Sequence, residues 1–484
     1  MAIARKIAYN VVLNSFFKVF STVALSLLSI RLITGYLGPD GFGKYATILA
    51  FFGFFSAIAD LGLGPVTARE ISREGAAEKK ILGNIVALRL LSSLALILIA
   101  PLALLVFRYP EDQEWGILIA AAAVLFSTLS LVLNGIFQKY LAMDKVAMIE
   151  FCGKFLQVAL VVFIVREDLG FLPIAATLLV SLSFNAILVF WWSRRYVKFS
   201  LALDFSYWKE FLKESLPMGA TAIITFAYFK LDTILLSLMQ SNTDVGIYNV
   251  AYKIMENLIF FPAMLAGLIL PLLSRSIYTD RKRFNEIADK TFKVFFLIVA
   301  PLIVGTWFLA PDIVQIVSGE GFQASVPVLR ILIFALGCIF FGHYFNMLLI
   351  VSNAQRKLMV ALFFAAVFNI SLNLFLIPTY SFIGAAFTSV ATELLVITLT
   401  GFLVFQHVKY RPSFEHIGRI LFASGAMGVS LFFLEPYSFF LAGISGVTIY
   451  IGSLWITQAI SYEELRMIFS SKETAPAAVE NPIS

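Results

Sequence analysis

The sequence predicts an all-α membrane protein with about fourteen spanning helices. Hydrophobic residues make up 60% of its 484 residues and charged residues only 14%, against roughly 25% charged in a soluble domain. Apolar runs of about 20 residues, the length that crosses the hydrocarbon core, recur along the chain. The net charge of +6 resides mostly in short connections between these runs, a pattern typical of membrane proteins and not of nucleic-acid binding.

The first apolar run, residues 10–33, follows a basic segment as a secretory signal would. It is longer than the apolar part of a signal and lacks a convincing small-residue cleavage site, so we expect a retained first helix. The predicted spans are 10–33, 42–66, 81–107, 115–138, 146–166, 171–192, 216–239, 247–273, 291–318, 326–351, 359–377, 382–406, 416–434 and 438–460.

The connections between these spans differ in charge. One alternate set, beginning with residues 68–80, is rich in Lys and Arg, whereas the other set holds only Lys44, Arg108 and Arg166. Because basic connections stay in the cytoplasm, both termini are predicted to be cytoplasmic and the protein to lie in the cell (inner) membrane.

Two weak similarities indicate an internal repeat. Gly43 and Tyr45 follow span one as Gly246 and Tyr248 follow span seven, and the segments that enter spans five and eleven are also alike. Parallel repeats are typical of transporters that bind their substrate between the two halves. The predicted domains are a six-helix lobe (1–195), a cytoplasmic interfacial linker helix (196–215), a second six-helix lobe (216–410), two additional helices (411–460) and a cytoplasmic tail (461–484).

Three stretches, residues 31–73, 216–275 and 373–393, resemble the polysaccharide-biosynthesis flippases, the Wzx-like oligosaccharide exporters. The similarity covers roughly residues 5–410. It implies membership of a superfamily that also holds multidrug/toxin extruders and lipid II flippases. Members of the flippase family move an undecaprenyl- or dolichyl-diphosphate-linked oligosaccharide across the membrane by alternating access.

Basic residues inside the spans are candidates for binding the diphosphate, because a charge at mid-bilayer costs about 2.5–3.5 kcal/mol and is seldom kept without a function. We predict substrate-binding roles for Lys18, Arg31, Arg89, Lys154, Lys230 and Lys253.

Structural alternatives exist for several of these charges. Arg31 and Arg89 are close enough to helix ends to snorkel. Lys154 is four residues after Glu150, which favours a pair on one helix face. Asp60 is expected to pair with Arg69 at the cytoplasmic rim.

Lys230 and Asp232 are two positions apart and therefore face nearly opposite sides of one helix. We predict that Asp232, Asn369, Asn373 and Thr388 form an ion-coupling site, since all four lie roughly 6–12 Å below the outer boundary at 1.5 Å per residue. Oxygen ligands of this kind suit Na⁺, and a lone Asp suits H⁺. No other cofactor is expected. The alternative is a structural pair between Asp232 and Lys253.

We predict a transporter and not an enzyme. The sequence has no Asp-x-Asp motif and no long outer connection. His343 is the single histidine in the interior of a span, since His407 and His416 belong to one short polar connection. The alternative function is a cation-coupled multidrug/toxin extruder, whose cavity would favour carboxylates and aromatic residues over bases. The predicted partners are the lipid-linked oligosaccharide and membrane lipids, with a polysaccharide polymerase or glycosyltransferases as further candidates.

Overall fold

A computed structural model describes residues 24–106 and 109–459 of the chain, and these residues form helices and turns without a strand. The α-helices of this part are α1 Ser26–Asp60, α2 Leu63–Ile71, α3 Glu78–Val106, α4 Glu111–Lys139, α5 Met143–Arg166, α6 Phe171–Ser193, α7 Phe205–Met239, α8 Asn242–Ser276, α9 Arg281–Ser318, α10 Ser325–Val351, α11 Gln355–Leu403, α12 Ile417–Leu434 and α13 Phe439–Ile456.

Twelve helices of the described part are long and apolar enough to cross a membrane. Helix α11 holds the two predicted spans 359–377 and 382–406 almost entirely. Helix α1 holds most of span 42–66 and the end of span 10–33, whose first part lies outside the described residues. Helix α1 is interrupted at Gly38 (φ 64°) and helix α11 at Ser381 (φ 48°). A Cβ on Gly384 would lie 2.6 Å from the carbonyl oxygen of Leu376, whereas eight residues of unbroken helix extend about 12 Å. Helix α11 therefore turns back on itself, and the predicted fold class is confirmed.

The chain divides into two compact units. Of the described residues, one unit comprises those up to 284 and those in 310–410, and the other comprises 285–309 and those from 411 onward. In the first unit, α1 packs against both α7 and α8. In the second, α12 packs against α13, and the Tyr450 hydroxyl donates a 2.8 Å hydrogen bond to the carbonyl of Leu297. The division into two six-helix lobes stays a prediction.

The repeated glycines form a reciprocal contact between α1 and α8. A Cβ on Gly43 would lie 1.7 Å from the carbonyl oxygen of Asn242, and a Cβ on Gly246 would lie 2.1 Å from that of Pro39. Each glycine thus packs against the residue four positions before the other. Only glycine permits an approach this close, so the sequence repeat coincides with matching contacts.

The predicted linker, residues 196–215, includes the first turns of α7 instead of a separate interfacial helix. Asp204 caps α7 by accepting a 3.0 Å hydrogen bond from the Tyr207 amide. Trp208 and Phe211 are buried in a core cluster with residues of α3 and α4, and the Trp208 indole donates to the Asn84 carbonyl at 3.1 Å. Their apolar surface is therefore covered by protein.

Candidate functional site

Two lysines and one carboxylate meet between α7 and α8, and Lys154 of α5 lies near them. The Glu256 carboxylate lies between Lys230 Nζ, at 2.6 Å, and Lys253 Nζ, at 2.7 Å. Lys154 is close enough to Lys253 and Glu256 to interact with both electrostatically, and its Nζ donates to Gln157 Oε1 at 3.0 Å. We call Lys154, Lys230, Lys253 and Glu256 the lysine cluster.

The lysine cluster carries more positive than negative charge, because it holds three lysines and one glutamate, and Glu256 pairs with two of these lysines. Lys230 also lies 4.5 Å from the centre of the Tyr252 ring, a cation–π contact that adds to its pairing with Glu256. Like charges held together in a low-dielectric region repel strongly. The cluster is therefore suited to an anion that supplies the missing negative charge.

Asp232 faces away from the lysine cluster, as its spacing from Lys230 predicts. Its carboxylate accepts hydrogen bonds from the Tyr248 hydroxyl and, at 2.8 Å, from the Thr233 amide, and only 4% of Asp232 is exposed. The alternative of an Asp232–Lys253 pair is not what the structure shows, because Lys253 pairs with Glu256 on its own helix.

The predicted ion-coupling residues are partly brought together. Asp232 and Asn369 line one cavity of about 20 Å³, which we call the ion cavity and which is large enough to admit one water molecule. Asn373 joins this group through a 3.0 Å hydrogen bond from its Nδ2 to Asn369 Oδ1. Thr388 is buried on α11, but that helix lines the cavity with Ser389, Thr392 and Glu393 instead.

Within the described residues, the Oδ1 atom of Asn373 and the hydroxyl of Thr388 are buried without a hydrogen-bond partner. Buried oxygens of this kind are costly to leave unsatisfied. Both are ligand types that Na⁺ accepts, but neither residue lines the ion cavity.

The other predicted substrate-binding residues lie elsewhere. The Arg89 side chain is fully buried, donates to the Ala59 carbonyl at 2.5 Å and pairs with Asp60 at 2.8 Å. Asp60 therefore pairs with Arg89 and not with Arg69, which pairs with Glu214 of the predicted linker.

Arg31 is exposed and its guanidinium lies against Gly319, where a Cβ would come within 1.8 Å of Nη1. Neither Arg31 nor Arg89 thus joins the lysine cluster. Lys18 lies outside the described residues.

Sequence reasoning left several residues of the site without a role. Glu256 follows Lys253 by three positions, a spacing that places both on one helix face and could have indicated the pair. Tyr248 belongs to the repeated Gly-x-Tyr motif, but no local pattern predicts its bond to Asp232. The contact between Tyr228 and Glu393 joins residues 165 positions apart and is equally invisible in the sequence.

Comparison with known families places this fold and its charges in context. Residues 4–277, more than half of the chain, match the polysaccharide biosynthesis protein family. The chain belongs to this family. Residues 217–375 also match the MatE family, so the second predicted lobe has features of both.

Two similar curated proteins come from Haloferax volcanii. The chain is 28% identical to the probable flippase AglR over 240 residues, which cover 46% of this chain and 49% of AglR. It is 21% identical to the probable low-salt glycan biosynthesis flippase Agl15 over 463 residues, 91% of this chain and 93% of Agl15. The match to AglR thus spans about half of that protein, whereas the match to Agl15 spans nearly all of it.

Solved structures show the same fold. The lipid II flippase MurJ, in an inward closed conformation, superposes with a TM-score of 0.77 at 17% identity, covering 94% of this chain and 99% of MurJ. An inward-facing multidrug resistance MATE transporter superposes with a TM-score of 0.65 at 16% identity, covering 82% and 99%. This chain therefore has the fold that the flippase MurJ and the MATE transporter share.

Proposed function

We propose that this protein is a flippase that moves a polyprenyl-diphosphate-linked oligosaccharide from the cytoplasmic to the outer leaflet by alternating access. The observation that carries this proposal is the lysine cluster, an excess of positive charge inside the spans. The family match and the flippase names of both curated relatives agree with it. The protein is then a transporter that serves surface polysaccharide or glycan assembly, and not an enzyme.

In this mechanism the lysine cluster binds the diphosphate while the lipid tails stay in the bilayer. Lys230 and Lys253 are held by Glu256 until the anion arrives, and the phosphate oxygens then compete for the same ammonium groups. Charge-assisted hydrogen bonds to phosphate are stronger than neutral ones. Lys18, Arg31 and Arg89 remain candidates for contacts at other stages of the transport cycle.

We further propose that the residues around Asp232 couple transport to a cation. Asp232, Asn369, Asn373 and Thr388 supply carboxylate, amide and hydroxyl oxygens to Na⁺, or Asp232 binds a proton. The separation of Asp232 from the lysine cluster on opposite faces of α7 allows each ligand its own site. The proposed partners are the membrane lipids around the spans and, as proteins, a polysaccharide polymerase or glycosyltransferases.

The first prediction concerns Lys230. Lys230→Gln should weaken binding of the diphosphate lipid at least tenfold, or about 1.4 kcal/mol, because one of the charges that face the phosphates is lost. Binding of purified protein to a polyprenyl-diphosphate glycan measures this effect. The matched control is Lys44→Gln, which removes a lysine that pairs with Asp112 at 2.7 Å away from the cluster.

Cells that lack the protein and any paralogue should accumulate the lipid-linked oligosaccharide on the cytoplasmic leaflet and lose surface glycan. Normal surface glycan in such cells would contradict the flippase function. Cells that keep their glycan but become sensitive to cationic drugs would favour the multidrug/toxin extruder, the second candidate, which the MatE match of residues 217–375 supports.

A further inference from the structure

A second, larger cavity lies beside the ion cavity. It measures about 190 Å³ and is lined by Thr225 and Tyr228 of α7, His343 and Asn346 of α10, and Glu393 and Val396 of α11. We call it the inner cavity. Four residues line both cavities and form the wall between them: Tyr228, Phe229, Ile339 and Glu393. Tyr228 and Glu393 are the titratable members of this wall.

The direction of the helices places the inner cavity on the predicted cytoplasmic side of that wall. Helix α7 runs from its cytoplasmic to its outer end, so Thr225 precedes Tyr228 and Asp232 follows it. Helix α10 runs the opposite way, and its residues on the inner cavity, His343 and Asn346, come after Ala335 on the ion cavity.

Glu393 is an unusual group to bury at this position. Only 6% of it is exposed, and its carboxylate accepts a hydrogen bond from the Tyr228 hydroxyl. None of the ion pairs formed by the described residues involves Glu393; the nearby lysines pair with Glu256. An isolated carboxylate inside a membrane protein is expensive, and a single hydroxyl does not provide the oxygen cage that a metal cation needs. A bound proton removes the charge.

The other titratable groups that face Glu393 from neighbouring helices carry no fixed positive charge. They are Tyr228 of α7, Tyr252 of α8, and Cys338 of α10, each of which interacts with the Glu393 carboxylate. His343 of α10 shares the inner cavity with it, and Asp232 faces it across the ion cavity.

A chain of polar groups connects Asp232 to Glu393. The Tyr248 hydroxyl donates to Asp232 and lies 3.3 Å from the Ser389 hydroxyl. Ser389 and Glu393 are four residues apart on α11, which places both on one helix face, and both line the ion cavity. A single water molecule in that cavity completes a route for a proton.

We propose that Glu393 is the inner proton carrier of the coupling path, with the Tyr228–Glu393 pair as the gate between the ion cavity and the inner cavity. This inference rests on the proposed cation coupling and adds to it a proton-binding group between the two cavities. A proton from water in the ion cavity binds to the Glu393 carboxylate and neutralises it. Glu393 then releases that proton to water in the inner cavity, beside His343.

The test is pH-difference infrared spectroscopy of the purified full chain in lipid vesicles without any glycan substrate. A buried carboxylic acid gives a C=O band that disappears when the proton leaves. We expect Glu393→Gln to remove one such band, whereas Glu320→Gln, which changes an exposed carboxylate, should leave that band in place. If Glu393→Gln leaves every titrating band in place, the proposal is overturned.

Two further measurements keep the test decisive. Tyr228→Phe retains the carboxyl group, so the same band should shift to higher frequency because its hydrogen bond is lost, even if Glu393→Gln fails to fold. Added Na⁺ at constant pH should not remove the band, and its removal would show a sodium site instead. Because no substrate is present, these outcomes are independent of whether the protein transports a glycan.

Discussion

At the scale of single residues, the two charges of Lys230 and Asp232 serve separate environments. Lys230 lies with the basic groups around Glu256, whereas Asp232 is enclosed by hydrogen-bond donors from Tyr248 and Thr233. Their opposite directions follow from the helical repeat, and so could be predicted. The partners of these two residues could not be predicted. Glu256 and Tyr248 belong to another helix, α8, and the sequence does not specify that the Thr233 amide donates to Asp232.

The separation of these environments predicts the effect of Asp232→Asn. The amide keeps the size of the carboxyl group but cannot take up a proton or balance a cation, so ion-dependent transport should be lost. Binding of the diphosphate lipid should stay within about twofold, a change of only about 0.4 kcal/mol, because Asp232 forms none of the ion pairs of the lysine cluster. Transport into vesicles with and without an imposed ion gradient, compared with lipid binding, measures the two effects. If Asp232→Asn does not fold, and a double variant that exchanges Asp232 and Lys253 does fold, the two residues form a structural pair instead.

At the scale of helices, the sequence predicted positions well and contacts poorly. Every predicted span from 42–66 onward corresponds to a described helix or to half of one, because hydropathy depends on the local sequence alone. The amphipathic pattern around Trp208 predicts an interfacial helix, because its burial depends on α3 and α4 and not on the local sequence. The partners of Arg89 likewise could not be predicted from the sequence. Its guanidinium pairs with Asp60 and donates a hydrogen bond to the Ala59 carbonyl.

The reciprocal contact of Gly43 and Gly246 predicts a sensitive helix interface. Gly43→Ala should force α1 and α8 apart, because the new methyl group would meet the Asn242 carbonyl, and overpacking of this kind costs about 1–3 kcal/mol. We expect a lower unfolding temperature in detergent and reduced surface glycan. Gly267→Ala on the same helix α8 is the control, since nothing lies within 4 Å of its Cβ position. Equal unfolding temperatures for the two variants would show that the interface tolerates the methyl group.

At the scale of the whole molecule, the direction in which each helix crosses the membrane determines which face of the site meets which compartment. The predicted orientation rests on the Lys and Arg asymmetry of the connections, and the route from the ion cavity to the inner cavity depends on it.

In a variant without Cys152 and Cys338, single cysteines at Gly75, Asp280 and Ser413 should react only with a cytoplasmic reagent. A cysteine at Asn242, where α8 begins, should react only from outside. Because Asn242 also contacts Gly43, a cysteine at the exposed Gln323, in another connection predicted to be external, provides an independent control. Labelling of both external positions from the cytoplasm would reverse the orientation, and the proton released from Glu393 would then emerge on the opposite side of the membrane.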